Sequence, residues 1–168
     1  MITLEALNAL PSSEFVATLG GIFEHSPWVP ARVAPQRPFA TRVELLEAMR
    51  AVVQAAPPAE QLTLIRAHPQ LGARGRARVG LTAASAREQH RAGIDLCTAA
   101  DWARLDELNA AYHAKFDFPF VLAVRGHNPA SIIENFETRL GNDAAQERQR
   151  ALQEIGLIAG YRLAELLA

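Results

Sequence analysis

Cysteine is almost missing: Cys97 is the only one in 168 residues. That excludes an intrachain disulfide and any metal cluster built on several thiolates. A buried, unreactive thiol is its default state. Lysine is equally scarce. Lys115 stands alone, and every other basic residue is an arginine, as the composition of a GC-rich genome gives. An excess of charge of one sign is also lacking, because 17 basic and 18 acidic residues leave a formal net charge of −1. No general electrostatic drive toward nucleic acid or an anionic membrane follows. No apolar run approaches the roughly 20 residues of a membrane span. Residues 1–10 carry Glu5 and Asn8 but no basic n-region, unlike a secretory signal. The Leu166-Leu167-Ala168 ending is no peroxisomal address. A cytoplasmic protein is expected. There is no phosphate-binding Gly-Lys-Ser/Thr loop and no Gly-x-Gly-x-x-Gly fingerprint. His25, His90, His113 and His127 show no metal-ligand spacing, so no metal site is expected.

What is present is helical periodicity. Thr3 can cap a helix carrying Leu4, Leu7 and Leu10, and Ser12 or Ser13 can cap one with Phe15, Leu19, Ile22 and Phe23 on a single face. Pro27, Pro30, Pro35 and Pro38 mark an irregular stretch in which Trp28 should plug the core. Thr41 and Glu44 form a capping box ahead of Leu45, Leu46, Met49, Val52 and Val53. A short helix with Leu62 and Ile65 runs to His68-Pro69, which puts His68 at a helix end. Gly72, Gly75 and Gly80, interleaved with Arg74, Arg76 and Arg78, read as a turned or mobile loop. Thr82 or Ser85 starts the next helix, and Thr98 with Asp101 opens a long one bearing Leu105, Leu108, Tyr112 and Phe116. The apolar run from 118 to 124 contains Pro119, which argues against a central strand, so an extended buried segment is expected. Asn128-Pro129 starts a helix that Gly141 stops, and Asn142 caps the last one. The expectation is an all-α fold, one domain over residues 1–168, of about eight helices.

Three positions combine chemistry with placement. His68, at a helix end beside a loop, has a near-neutral pKa by residue type and can give or take a proton. The same dipeptide also suits a surface or helix-capping histidine. Ser85-x-x-Glu88 has the spacing of a capping box, which alone explains it. A helix start also favours anions, so Ser85, Glu88 and Gln89 can hold a polar ligand or orient His68. Arg162 shares the apolar stripe of Ile155, Ile158, Ala159 and Leu166. It must meet a carboxylate, backbone carbonyls or an anionic ligand, or else snorkel to the rim. The arginines at 74, 76 and 78 lack interleaved aromatics, which favours a solvated loop over a nucleic-acid contact.

Together these segments resemble the 2-oxo-4-hydroxy-4-carboxy-5-ureidoimidazoline (OHCU) decarboxylase family, which acts in urate breakdown and yields (S)-allantoin. The resemblance runs through Gly21, Glu24, Pro27 and Trp28, then Arg37-Pro38-Phe39. It continues through Ala67-His68-Pro69-Gln70-Leu71-Gly72 and through Leu81 and Thr82 to Ser85, Glu88 and Gln89. Next come Leu108-Asn109, Tyr112, Lys115-Phe116 and Phe118-Pro119-Phe120, then Arg139-Leu140 and Asn142. It ends at Glu154-Ile155 and Arg162-Leu163, and so covers essentially the whole chain. It implies an all-helical enzyme with no metal or organic cofactor. The catalytic histidine, glutamate and arginine would be His68, Glu88 and Arg162. Substrate contacts would fall on Pro69, on Ser85, Ala86, Arg87, Glu88 and Gln89, on Phe120, Val121, Leu122, Ala123 and Val124, and on Arg162. In the last segment backbone N–H and C=O groups would pair with a ureide. The family commonly carries glycine where this chain has Asp117, after the end of a long helix, so a slightly altered turn is expected there. No role passes to the arginines of the loop from 74 to 80.

The expected partner is a small-molecule ureide, with a homodimer left open and neither nucleic acid nor membrane involved. The alternatives are a decarboxylase for a different ureido compound, a binding module for a purine-derived ligand, and a nucleic-acid-contacting helical domain.

Overall fold

Threonine and asparagine hydroxyl and amide oxygens start several of the helices, as their spacing predicts. In the computed structural model, which describes residues 1–72 and 82–168, Thr3 accepts from the Ala6 N–H ahead of α1 (Leu4–Ala9). Thr41 does the same for Glu44 ahead of α4 (Arg42–Ala55), and Glu44 reaches back to the Ala40 N–H. Reciprocal caps open α7 (Ala99–Phe116), through Thr98 and Asp101, and α8 (Pro129–Arg139), through Asn128 and Ser131. Each cap satisfies backbone donors that the helix itself leaves orphaned. The remaining helices are α2 (Ser12–Leu19), α3 (Trp28–Val33), α5 (Pro58–Arg66), α6 (Ala83–Arg91) and α9 (Ala144–Leu166).

The fold is all-α. Among the described residues there are nine α-helices, two short 3-10 turns and no strand beyond an isolated Ile2–Leu167 bridge. The helix beyond the expected eight is α3, in the proline-rich stretch read as irregular. Pro27 is its N-cap and Pro30 lies in its first turn, where a missing N–H costs nothing. Trp28 does not plug the core. It is half-buried at the first position of α3, with the Arg32 guanidinium 4.6 Å from the ring.

Two other caps differ from expectation. Pro11, not Ser12 or Ser13, precedes α2, and no side chain caps it. Asp143 rather than Asn142 starts α9. Asp143 Oδ1 accepts the Gln146 N–H and Gln146 Oε1 accepts the Asp143 N–H, a reciprocal arrangement in which aspartate also favours the helix dipole. The Asn142 amide is committed to Glu147 instead, at 2.7 Å.

The described residues divide into two compact units, one of residues 1–67 and 155–168, the other of residues 68–154. The first has its core in Phe15, Leu19, Phe23, Leu45, Met49 and Leu64. The second is built around Tyr112, whose ring lies 4.7 Å from Phe116 and 5.3 Å from Phe120, centroid to centroid. Phe118 and Phe136 each lie 5.9 Å away. The contacts with Phe118, Phe120 and Phe136 are edge-to-face and that with Phe116 is tilted; aromatic pairs of this kind add about 0.5–1.5 kcal/mol each beyond area burial. Among the described residues no helix is long and apolar enough to cross a membrane.

Candidate active site

His68 follows the last turn of α5, with Ala67 as C-cap, and is buried at 6% exposure. Pro69 keeps it out of the helix, as the sequence predicts. It is therefore no surface histidine. The chain after it is fastened down. The Gly72 N–H donates to Gln89 Oε1 at 3.1 Å, and the Asn109 amide donates to the Leu71 carbonyl at 3.0 Å. Gly72 has φ +71°, a left-handed conformation that L side chains rarely adopt.

The Ser85-x-x-Glu88 pair is not a capping box. Thr82 is the N-cap of α6, and its Oγ1 accepts the Ser85 N–H at 3.2 Å. Ser85 is thus the third helical residue and Glu88 the sixth. The cap that explained their spacing falls to Thr82, and what remains is a shared face. Ser85, Glu88 and Gln89 stand at i, i+3 and i+4, so they line one side of the helix. Ser85 is buried and Glu88 and Gln89 are half-buried, whereas Ala86 and Arg87 are exposed. The Gln89 side chain is committed to backbone, accepting from Gly72 and donating to the Gln70 carbonyl at 3.5 Å. Gln89 therefore ties α6 to the strap that carries His68.

Residues 120–124 form the expected buried segment without helix or strand. Phe120, Val121, Leu122, Ala123 and Val124 are all buried, and Pro119 is half-buried. Part of their backbone is already bonded. The Val121 carbonyl accepts from Arg139 Nη1 at 2.6 Å, the Ala123 N–H donates to Glu154 Oε2 at 2.9 Å, and the Val124 carbonyl accepts from the His127 N–H at 3.0 Å. The Ala123 N–H is thereby used, whereas each carbonyl oxygen keeps a second lone pair. Arg139 also donates to Glu147, which accepts the Tyr112 hydroxyl. Burial first, and then the bond to the Glu147 carboxylate, push the Tyr112 phenol well above its usual range.

Arg162 belongs to the first unit and does not snorkel. It is 7% exposed, and its Nη1 donates to Glu24 Oε2 at 2.6 Å and to the Gly21 carbonyl at 3.2 Å. An arginine on an apolar stripe requires a partner without specifying which, and the carboxylate that meets it is Glu24. The only signal was that Glu24 lies in one of the segments carrying the resemblance. Glu154 and Arg139 also lie in such segments and had no assigned role. The Arg74, Arg76 and Arg78 cluster, with Gly75, Gly80 and Leu81, lies outside the described residues.

Asp117 adopts a left-handed conformation. It closes α7 at φ 58°, ψ 31°, with its N–H on the His113 carbonyl at 2.9 Å. Aspartate is among the few residues that enter this region.

Comparison with known proteins bears on the family and the fold. A profile of the OHCU decarboxylase family matches residues 8–164. The chain is 40% identical over 164 residues to 2-oxo-4-hydroxy-4-carboxy-5-ureidoimidazoline decarboxylase of Haloferax volcanii, covering 98% of this chain and 95% of the relative. It is 40% identical to the protein of that name from Amia calva, covering 98% of this chain and 94% of the relative. It is 41% identical to a uric acid degradation bifunctional protein of a Bacillus species, covering 99% of this chain but only 32% of that larger protein. A crystal structure of (S)-allantoin synthase superposes with a TM-score of 0.82 at 29% identity, over 99% of this chain and 54% of that one. The present chain thus spans about half the length of that synthase. Fold and relatives together define an all-helical enzyme of the carboxy-lyase class. The chain belongs to the OHCU decarboxylase family.

Proposed function

We propose that the chain decarboxylates OHCU to (S)-allantoin in urate breakdown, without a metal or organic cofactor, as a single cytoplasmic domain. The observation that carries this reading is the buried His68 on a strap that Gln89 ties to α6, one residue from Glu88. A buried imidazole on a strap that is tied to a carboxylate-bearing helix suits proton transfer.

The substrate carries its own electron sink, a C=N bond next to the carbon that bears carboxylate and hydroxyl. When the bond to the carboxylate breaks, carbon dioxide leaves and the electron pair enters the C=N unit, whose nitrogen takes a proton. The enediol-like intermediate then loses its hydroxyl proton and gains one at the neighbouring carbon. Delivery to one face sets the S configuration. His68 exchanges a proton at the hydroxyl or ring, polarised by Glu88. Arg162 anchors the polar edge of the ring through its charge-assisted donors. Its pairing with Glu24 supports this role, because a carboxylate holds the guanidinium plane in one orientation. Pro69 and Ser85 complete the contacts, together with the peptide groups of residues 120–124 that the protein does not itself engage. The bonds that Arg139 and Glu154 make to the Val121 carbonyl and the Ala123 amide shape that segment.

The test generates OHCU in situ from urate with the two upstream enzymes and follows ultraviolet absorbance and circular dichroism with and without the protein. Faster decay with one-handed allantoin is expected. Decay at the spontaneous rate to racemic product, from a folded sample, overturns the reading and favours another ureido substrate or a binding module.

A further inference from the structure

A buried backbone segment must have its N–H and C=O groups paired. An extended segment ordinarily meets that need in a sheet, but among the described residues there is no sheet beside residues 120–124. Ionised side chains take its place. Arg139, 4% exposed, gives Nη1 to the Val121 carbonyl and Nε to Glu147 Oε1 at 2.8 Å. Its guanidinium lies 4.3 Å from the centroid of the Phe120 ring, which stacks on Phe136. Glu154, 3% exposed, takes the Ala123 N–H on Oε2 and pairs with Arg150 through Oε1 at 2.6 Å.

Charges in such positions are a poor way to gain stability, since burying an ion carries a desolvation cost that apolar packing does not. What they do supply is direction. A carboxylate on one amide and a guanidinium on a carbonyl two residues earlier fix the rotation of the intervening peptides. We propose that Glu154 and Arg139 are positioning residues for the decarboxylation. By engaging Ala123 and Val121 they determine which peptide groups of the segment face the ureide, and at what angle. The inference rests on the reading that this segment contacts substrate. Neither side chain touches the reacting atoms.

The experiment compares Glu154→Met, Glu154→Gln, Arg150→Ala and Arg139→Lys in the full chain. It reads steady-state turnover of OHCU and amide hydrogen exchange in peptides covering 120–124. Glu154→Met keeps the volume but loses the acceptor. It should speed exchange in the segment and raise KM about tenfold or more, with a smaller change in kcat, because misplaced contacts weaken substrate orientation. Glu154→Gln keeps a carbonyl for the Ala123 N–H and should retain wild-type exchange and most of the KM. Arg150→Ala removes only the half-exposed partner and should leave both unchanged. Arg139→Lys loses the fork that spans Val121 and Glu147 and should raise KM as Glu154→Met does. Wild-type KM or wild-type exchange in a folded Glu154→Met or Arg139→Lys protein overturns the proposal. So does a Glu154→Gln protein as impaired as Glu154→Met. A wild-type chain that does not turn over OHCU overturns the functional reading instead, and exchange still decides whether Glu154 sets the segment.

Discussion

Arg162 and Glu24, 138 residues apart, form an ion pair in which both side chains are buried, at 2.6 Å between Nη1 and Oε2. The pair joins the last helix to the turn that follows α2. Removing the carboxylate leaves a guanidinium without its anion in a water-poor site. Glu24→Ala should therefore cost about 3–5 kcal/mol of stability, measured by urea unfolding. Glu24→Leu combined with Arg162→Met should restore most of it, because the apolar pair carries no buried charge. A double variant as unstable as the single would show that the cost lies in packing rather than in charge.

Arg162→Ala should affect catalysis differently from the other two candidates. An anchor acts in both the ground and the transition state, so its loss should raise KM as well as lower kcat. An unchanged KM in a folded variant would remove the anchoring role.

His68→Ala and Glu88→Ala should each lower kcat by about 10²–10⁴-fold, the usual worth of a positioned acid or base. Far-ultraviolet circular dichroism should stay native in both. Near-wild-type turnover in either would withdraw that residue from the proton-transfer step.

Tyr112 ties stability to alkaline pH. Its phenol titrates above its usual range in the folded chain, chiefly through burial and then through the Glu147 bond. In the unfolded chain it titrates at about 10. Below that pH both states hold the proton and the stabilisation is complete. Above it the unfolded state releases a proton that the folded state keeps, so stability falls as pH rises. Unfolding midpoints should drop from about pH 10 upward, and less steeply in Tyr112→Phe, which has no phenol to titrate. Parallel curves for the two proteins would contradict this.

Asp117 closes α7 in a left-handed conformation. A β-branched side chain is strained there, so Asp117→Val should cost about 1–2 kcal/mol, read from thermal or urea unfolding. An unchanged midpoint would mean that the turn relaxes to another geometry.

Local chemistry was legible along the chain wherever one short stretch decides the outcome. The caps at Thr3, Thr41, Thr98 and Asn128 follow from residue type and spacing. So do the core faces of Phe15 and Leu19 and of Leu45 and Met49, and the strandless segment around Pro119, whereas Ile22 and Phe23 are buried in the turn beyond the end of α2. Where two neighbouring residues compete, sequence was less decisive. Asp143 capped α9 instead of Asn142, because Gln146 pairs with it reciprocally and Glu147 takes the asparagine. Thr82 capped α6, which turned Ser85 and Glu88 from a cap into one helix face. Proline near Trp28 permitted a helix because its missing N–H falls in the first turn.

The helical class and the candidacy of His68, Glu88 and Arg162 rest on residue chemistry within a few positions, and the family resemblance on short motifs in order along the whole chain. Packing is what pairs Glu24 with Arg162, ties Gln89 to the His68 strap, and sets Glu154 and Arg139 against residues 120–124. Those are long-range pairings of buried polar groups. A charged side chain announces in sequence that it needs a partner. Which carboxylate or peptide group meets that need depends on what the packed core brings within hydrogen-bond distance.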